Sequence, residues 1–196
     1  QPHELPAFFA ALNAEGNDTL RDFFLTCILT GARRANVMSM RWADLDLKRR
    51  EWLILDTKAG TPHRLPLPTA AVKVLEGRKR VGEWVFPGKG ATGHLVEPKT
   101  GWKRILERSG MKALRIHDLR RSLGSHMAAG GASLPIIGKA LQHKSVNTTA
   151  IYARLNIDPV REAMEKATRT MVRLGRPRGG GRTRARKDAP GEDDAA

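Results

Sequence analysis

At 196 residues the chain is long enough for one sizeable domain, or a domain with a small appendage. It carries 35 Lys and Arg against 20 Asp and Glu, a net charge of +15. Residues 175–196 hold six basic and four acidic groups, so 13 of those charges belong to residues 1–174, as expected of a surface that neutralises phosphates. The single cysteine, Cys27, excludes an internal disulfide and a Cys-rich zinc site. No apolar stretch approaches the ~20 residues that span a bilayer.

Taken in chain order, Gln1-Pro2-His3-Glu4-Leu5-Pro6 reads as the start of a helix with Pro in its first turn. A second helix is predicted from about Leu20 to Leu29, punctuated by Gly31, and a short one over Ala35 to Met40. Cys27 sits in the first of these two, in an apolar run where a buried, inert thiol is expected. After Trp42 the period changes. Leu45 and Leu47 alternate with Asp44 and Asp46, and Trp52-Leu53-Ile54-Leu55 precedes a turn at Lys58-Ala59-Gly60 and then Arg64-Leu65-Pro66-Leu67-Pro68. That is the pattern of a small three-stranded antiparallel sheet, with the proline-bearing strand at an edge.

Helices are predicted again over 69–80, 98–108, 117–129, 133–141, 146–153 and 157–174, with Pro87-Gly88 and Gly130-Gly131 marking loops. The last has an apolar stripe at Val160, Ala163, Met164, Ala167, Met171 and Leu174. Residues 175–196 are Gly/Arg-rich and then acidic, without periodicity, and read as a disordered tail. The fold class is therefore α+β, mostly helical with one small antiparallel sheet.

Tyr152 is the only tyrosine in the chain. Taken alone, a tyrosine is a packing residue. Its context is Leu141-Gln142-His143-Lys144-Ser145-Val146-Asn147-Thr148-Thr149-Ala150-Ile151-Tyr152, with a histidine nine residues before the phenol. Upstream, His117-Asp118-Leu119-Arg120-Arg121 sets His117 and Arg120 on one helix face, able to reach one ligand group. Further upstream, Thr30-Gly31-Ala32-Arg33-Arg34-Ala35-Asn36-Val37 places Arg33 just after a glycine break. Each segment by itself fits an ordinary solvated basic surface.

The ordered set resembles the catalytic domain of the tyrosine recombinases, the phage-integrase family, from roughly Leu20 to Leu155. Within it, Thr30 to Val37 and Met40-Arg41-Trp42 look most like the integrases of satellite phages and genomic islands. The resemblance implies a site-specific DNA strand transferase whose catalytic residues are Arg33, Lys58, His117, Arg120, His143 and Tyr152. Tyr152 would be the nucleophile, forming a 3′-phosphotyrosine. Two positions depart from the usual pattern: Asn36 stands where many members have Glu, and Gln142 where many have Gly before the histidine.

The residue types suit the chemistry. Two permanently charged guanidinium forks can grip the non-bridging oxygens of a phosphodiester and stabilise the charge that grows there, as a metal does elsewhere. No metal, cofactor or ATP is therefore expected. A phenol, mostly protonated at neutral pH, needs activation, for which His117 is the expected proton acceptor; Lys58 would protonate the leaving oxygen and His143 would donate to a phosphate oxygen. Backbone contacts to DNA are expected from among Arg34, Lys99, Lys103, Arg104, Arg121, Lys139 and Lys144. His63 and Arg64 are expected to be structural or phosphate-contacting, and Trp84 and Trp102 to be packing residues.

The domain reading is a catalytic domain over 1–174 and a tail over 175–196, with no counterpart of the family's N-terminal DNA-clamping domain. The expected partner is double-stranded DNA bearing attachment sites. Four protomers would assemble on it, from monomers in isolation, in the bacterial cytoplasm and nucleoid with no membrane partner. Two other readings stay open: a type IB topoisomerase with a similar residue set, and a DNA-binding module that has lost catalysis.

Overall fold

The computed structural model of the protein describes residues 2–55, 62–143, 145–154 and 158–175. Two compact units divide the chain, Gln1–Val160 and Arg161–Ala196. The first opens with α1 (Leu5–Asn13), α2 (Asp18–Thr30) and α3 (Arg34–Met38). Asn17 starts α2 by accepting the Leu20 N–H, 3.1 Å, on its side-chain oxygen, and Gly31 ends it in the left-handed conformation at φ +61. The sheet follows: β1 (Leu45–Asp46), β2 (Glu51–Ile54) and β3 (His63–Pro66), antiparallel in the order β1-β2-β3. Pro66 lies on edge strand β3, where a missing N–H leaves no inner ladder bond unmade.

The remaining helices are α4 (Thr69–Glu76), α5 (Lys99–Ser109), α6 (Ile116–Ala129), α7 (Leu134–Ala140) and α8 (Val146–Thr149). A 3-10 turn over Ala150–Arg154 carries Tyr152, and α9 spans Asp158–Gly175. Two lengths differ from expectation. The helix predicted over 69–80 stops at Glu76, because Arg78 leaves it to bind Asp22 (2.8 Å) and the Val85 carbonyl (2.9 Å). The helix predicted over 146–153 is one α turn followed by the 3-10 turn, consistent with the weak helix propensity of Val-Asn-Thr-Thr.

Two hydrophobic cores organise the first unit. The larger joins α1, α2, the sheet, α4, α5 and the start of α6 around Phe8, Leu12, Phe23, Phe24, Trp52, Leu75, Phe86 and Ile105. Cys27 is buried in it, and burial pushes its thiol far above the usual range, so it is inert. Trp102 packs edge-on to Phe8 and donates to the Leu114 carbonyl at 2.9 Å. The smaller core consists of Ile137, Leu141 and Tyr152, flanked by Leu123, Met127, Ala128, Ala132 and Leu134. Among the described residues no helix is long and apolar enough to cross a membrane.

Candidate strand-transfer site

The site lies where α2 ends against α6 and α7. The left-handed turn at Gly31 exposes its carbonyl, which accepts from Arg120 Nη1 at 2.6 Å. A side chain at Gly31 would have no room, since a β carbon there would stand 2.8 Å from both Leu123 and Leu141. The turn is braced by Thr30, whose hydroxyl donates to the Thr26 carbonyl at 2.6 Å and accepts from the Ala32 N–H at 3.3 Å. Two residues later Arg33 takes an extended conformation ahead of α3 and projects toward the end of α7. There its Nη1 donates to Gln142 Oε1 (3.1 Å) and its Nη2 to the Gln142 carbonyl (3.0 Å).

Arg120 is 5% exposed. Its pKa is pushed down to about 10, by burial first and then by the like charge of Arg33, while Tyr152 works the other way. The two forks are thus close enough for their like charges to repel. His143 follows Gln142; its Nδ1 shares a 2.9 Å hydrogen bond with the hydroxyl of buried Thr149. Burial, then Arg120, Arg33 and His117, hold its imidazole below the usual histidine range. His117, exposed at the first turn of α6, is also held down, by burial and then by Arg120 and Arg121, with Asp118 opposing. It lines a cleft of about 440 Å³ with Arg34, Trp102, Leu114, Arg115 and Ile116.

Tyr152 is 4% exposed, and its ring lies parallel to His143 at 6.3 Å between centroids. It lies against the α6 backbone at Gly124, where a β carbon would come within 2.5 Å of the ring and 2.8 Å of the hydroxyl. Burial raises the phenol above its usual range, while the charges of Arg120 and Arg121 pull it back. Arg33, His117, Arg120, His143 and Tyr152 are therefore brought to one place. Lys58 and Lys144 lie outside the described residues.

Among the expected DNA contacts, Arg104 is committed elsewhere. It joins Arg108 on the buried carboxylate of Glu15, at 2.7 and 3.2 Å, tying α5 to the end of α1. Arg64 pairs with Glu51 across the sheet at 3.1 Å. His63 feels Arg33 and Lys139 and is held below its usual range by burial first.

Three residues of the site had no role assigned from the sequence. Gly124 carried a usable signal: it lies seven residues after His117 and four after Arg120, on the same helical stripe. Thr149 and the role of Gln142 depend on α8 packing on α7 and on the end of α7 meeting the segment after α2, which no local pattern announces.

The model of the Phage integrase family matches residues 1–158, and the chain belongs to this family. It is 27% identical over 173 residues to the prophage integrase IntF of Escherichia coli (strain K12), covering 85% of this chain and 37% of that protein. It is 29% identical over 160 residues to the tyrosine recombinase XerA of Pyrococcus furiosus, covering 76% of this chain and 56% of XerA. The chain thus spans about a third to just over half the length of these curated relatives. Among solved structures, the catalytic domain of bacteriophage HP1 integrase superposes with a TM-score of 0.66 at 16% identity, covering 84% of this chain and 92% of that one. The XerH site-specific recombinase bound to its difH substrate in a pre-cleavage complex gives 0.64 at 20% identity, covering 77% and 48%.

Proposed function

We propose that this chain is the catalytic part of a site-specific DNA recombinase that cleaves and rejoins strands through a phosphotyrosine at Tyr152. The observation that carries the reading is the meeting of two guanidinium forks and two imidazoles around a single phenol, in a member of the phage integrase family. In the first step the Tyr152 oxygen attacks phosphorus and its proton passes to His117. The bond from phosphorus to the 5′-oxygen breaks, and Lys58 protonates that oxygen. Arg33 and Arg120 hold the non-bridging oxygens as charge grows on them. With the Thr149 hydroxyl donating to Nδ1, His143 keeps its other nitrogen protonated to donate to the same phosphate. Attack by a new 5′-hydroxyl reverses the steps, and the ester conserves the bond energy, so no nucleotide hydrolysis is required.

Residues 1–174 form the catalytic domain in this reading, acting on double-stranded attachment sites in the bacterial nucleoid. Four protomers meet on two duplexes, and α9 supplies the contact between them. Along it Ala163, Met164, Ala167, Met171 and Leu174 recur at helical spacing as one apolar stripe.

One observation favours a second reading, DNA binding without catalysis: Tyr152 is buried, and to act its ring must turn away from Gly124. The test is incubation with a nicked suicide duplex, followed by denaturing electrophoresis. The wild-type chain should form a denaturant-resistant protein–DNA adduct. Tyr152→Phe should lose it by at least about a thousandfold, as expected for a missing nucleophile, while binding the duplex as before. Binding without any adduct would establish the second reading instead, and native mobility on paired sites counts the protomers.

A further inference from the structure

We propose that Gln142 is a positioning residue of this centre, holding the Arg33 guanidinium in the orientation from which it meets the phosphate; this rests on the strand-transfer reading above. The backbone explains why a glycine would be at home here. The end of α7 closes with the Gln142 N–H on the Lys139 carbonyl (3.2 Å) and the His143 N–H on the Gly138 carbonyl (2.9 Å). That is the Schellman arrangement, whose pivotal residue is left-handed, and Gln142 has φ +52. A β carbon in that conformation crowds the following carbonyl oxygen, a strain that glycine avoids. Glutamine, with its long side chain, gains little there from bonding to its own backbone.

What the side chain does reach is Arg33. Its Oε1 and the residue's own carbonyl accept from the two terminal nitrogens of one guanidinium, at 3.1 and 3.0 Å. A planar fork held at both terminal nitrogens cannot rotate, and its remaining N–H groups keep a fixed aim. The Gln142 Nε2 is buried without a hydrogen-bond partner among the described residues, so the amide is held through its oxygen, by Arg33. A strained residue whose side chain makes one specific contact, to a phosphate-gripping arginine 109 positions away, is placed for that contact.

Gln142→Gly separates positioning from structure, because it relieves the backbone while removing the amide. The thermal midpoint should stay level or rise. The single-turnover rate of adduct formation on a saturating suicide duplex should fall about tenfold, as for loss of a charge-assisted hydrogen bond, with the DNA dissociation constant changed less than about threefold. In the free protein, the slowly exchanging guanidinium signals of Arg33, assigned by their loss in Arg33→Lys, should also vanish in Gln142→Gly. A wild-type rate in Gln142→Gly, or a rate that falls only in step with stability, would overturn the proposal. If the wild-type chain forms no adduct, the strand-transfer reading fails separately. The Arg33 signals then decide: persistence in Gln142→Gly overturns the proposal, and their loss upholds it.

Discussion

Arg33 stands between α2 and α3 and Arg120 on α6, elements that pack on the large core, whereas Tyr152 belongs to the small one. Around α2, Phe23 and Phe24 are fully buried, and rings from Phe86 and Trp102 lock against them at centroid distances of 5.1–5.7 Å. The buried residues of the small core are Ile137, Leu141 and Tyr152, so the proposed nucleophile is itself one of the residues holding its own support together. In the strand-transfer reading the phosphate grip is built beside the larger core. The proposed nucleophile stands in the smaller core, where fewer buried side chains oppose a local opening than oppose unfolding of the whole. In the strand-transfer reading, duplex DNA held at the arginines would be the ligand that stabilises the opened state.

The largest effect should come from setting one core against the other. Phe23→Ala, with a fully buried ring removed, is expected to lower global stability by about 3–5 kcal/mol. Ile137→Ala should cost about 2–4 kcal/mol, felt locally. Hydrogen exchange would then quicken across 134–154 while α2 stays protected. Equal acceleration in α2 and α7 would show that the two cores open together, and the contrast between grip and nucleophile would collapse.

A smaller effect is expected at the seat of the tyrosine. Gly124→Ala adds a methyl 2.5 Å from the Tyr152 ring. Overpacking costs about 1–3 kcal/mol, partly offset by the roughly 1 kcal/mol by which Ala exceeds Gly in helix propensity. The ring must give way, and nitration reports it cleanly because the chain has one tyrosine. Tyr152 should be nitrated slowly in the wild type and several-fold faster in the variant. An unchanged nitration rate alongside a lowered melting temperature would mean that α6 moves and the ring does not.

How much of this was legible follows the same division. The large core announces itself in the apolar run of α2, the alternation at Leu45 and Leu47 and the apolar run from Trp52 to Leu55, so the α+β class, the three-stranded antiparallel sheet and its proline-bearing edge strand were readable. The small core was read less well. The segment around Tyr152 is short and polar with weak helix propensity, and packing of Tyr152 on Gly124 and of Thr149 on Gly138 adds to that in setting its 3-10 turn. The sequence singled out Arg33, His117, Arg120, His143 and Tyr152 through a resemblance between ordered motifs, and the structure brings these five together. It was silent on what holds them. Gln142 was visible as a departure from a usual glycine, but the left-handed turn and the grip on Arg33 require the fold. The sequence-predicted lysine, Lys58, lies outside the described residues.

The smallest effect is also the one that distinguishes a resting site from an engaged one. His63, His117 and His143 are all held below the usual histidine pKa, by burial first and then by neighbouring cations: Lys139 and Arg33 for His63, Arg120 and Arg121 for His117, Arg120 and Arg33 for His143. Each therefore stays neutral in the folded protein at a pH where the unfolded chain binds a proton. Stability should be unaffected above the unfolded value of ~6.5 and should decline as pH falls from there through the lowered folded values. In the strand-transfer reading duplex DNA reverses the balance, because a phosphate among these groups favours the imidazolium. Binding near pH 6.5 should take up protons, measurable by titration calorimetry in buffers of different ionisation enthalpy. Proton release would contradict the placement of the imidazoles at the phosphate. The lowered value of His117 has a further consequence for rate: a neutral imidazole is needed to accept the phenolic proton, so adduct formation should slow in acid even where DNA binding strengthens. Tight binding with slow cleavage below pH 6 would place the imidazoles with the grip and make the departure of Tyr152 from Gly124, with the loss of its proton, the step that commits the site to reaction.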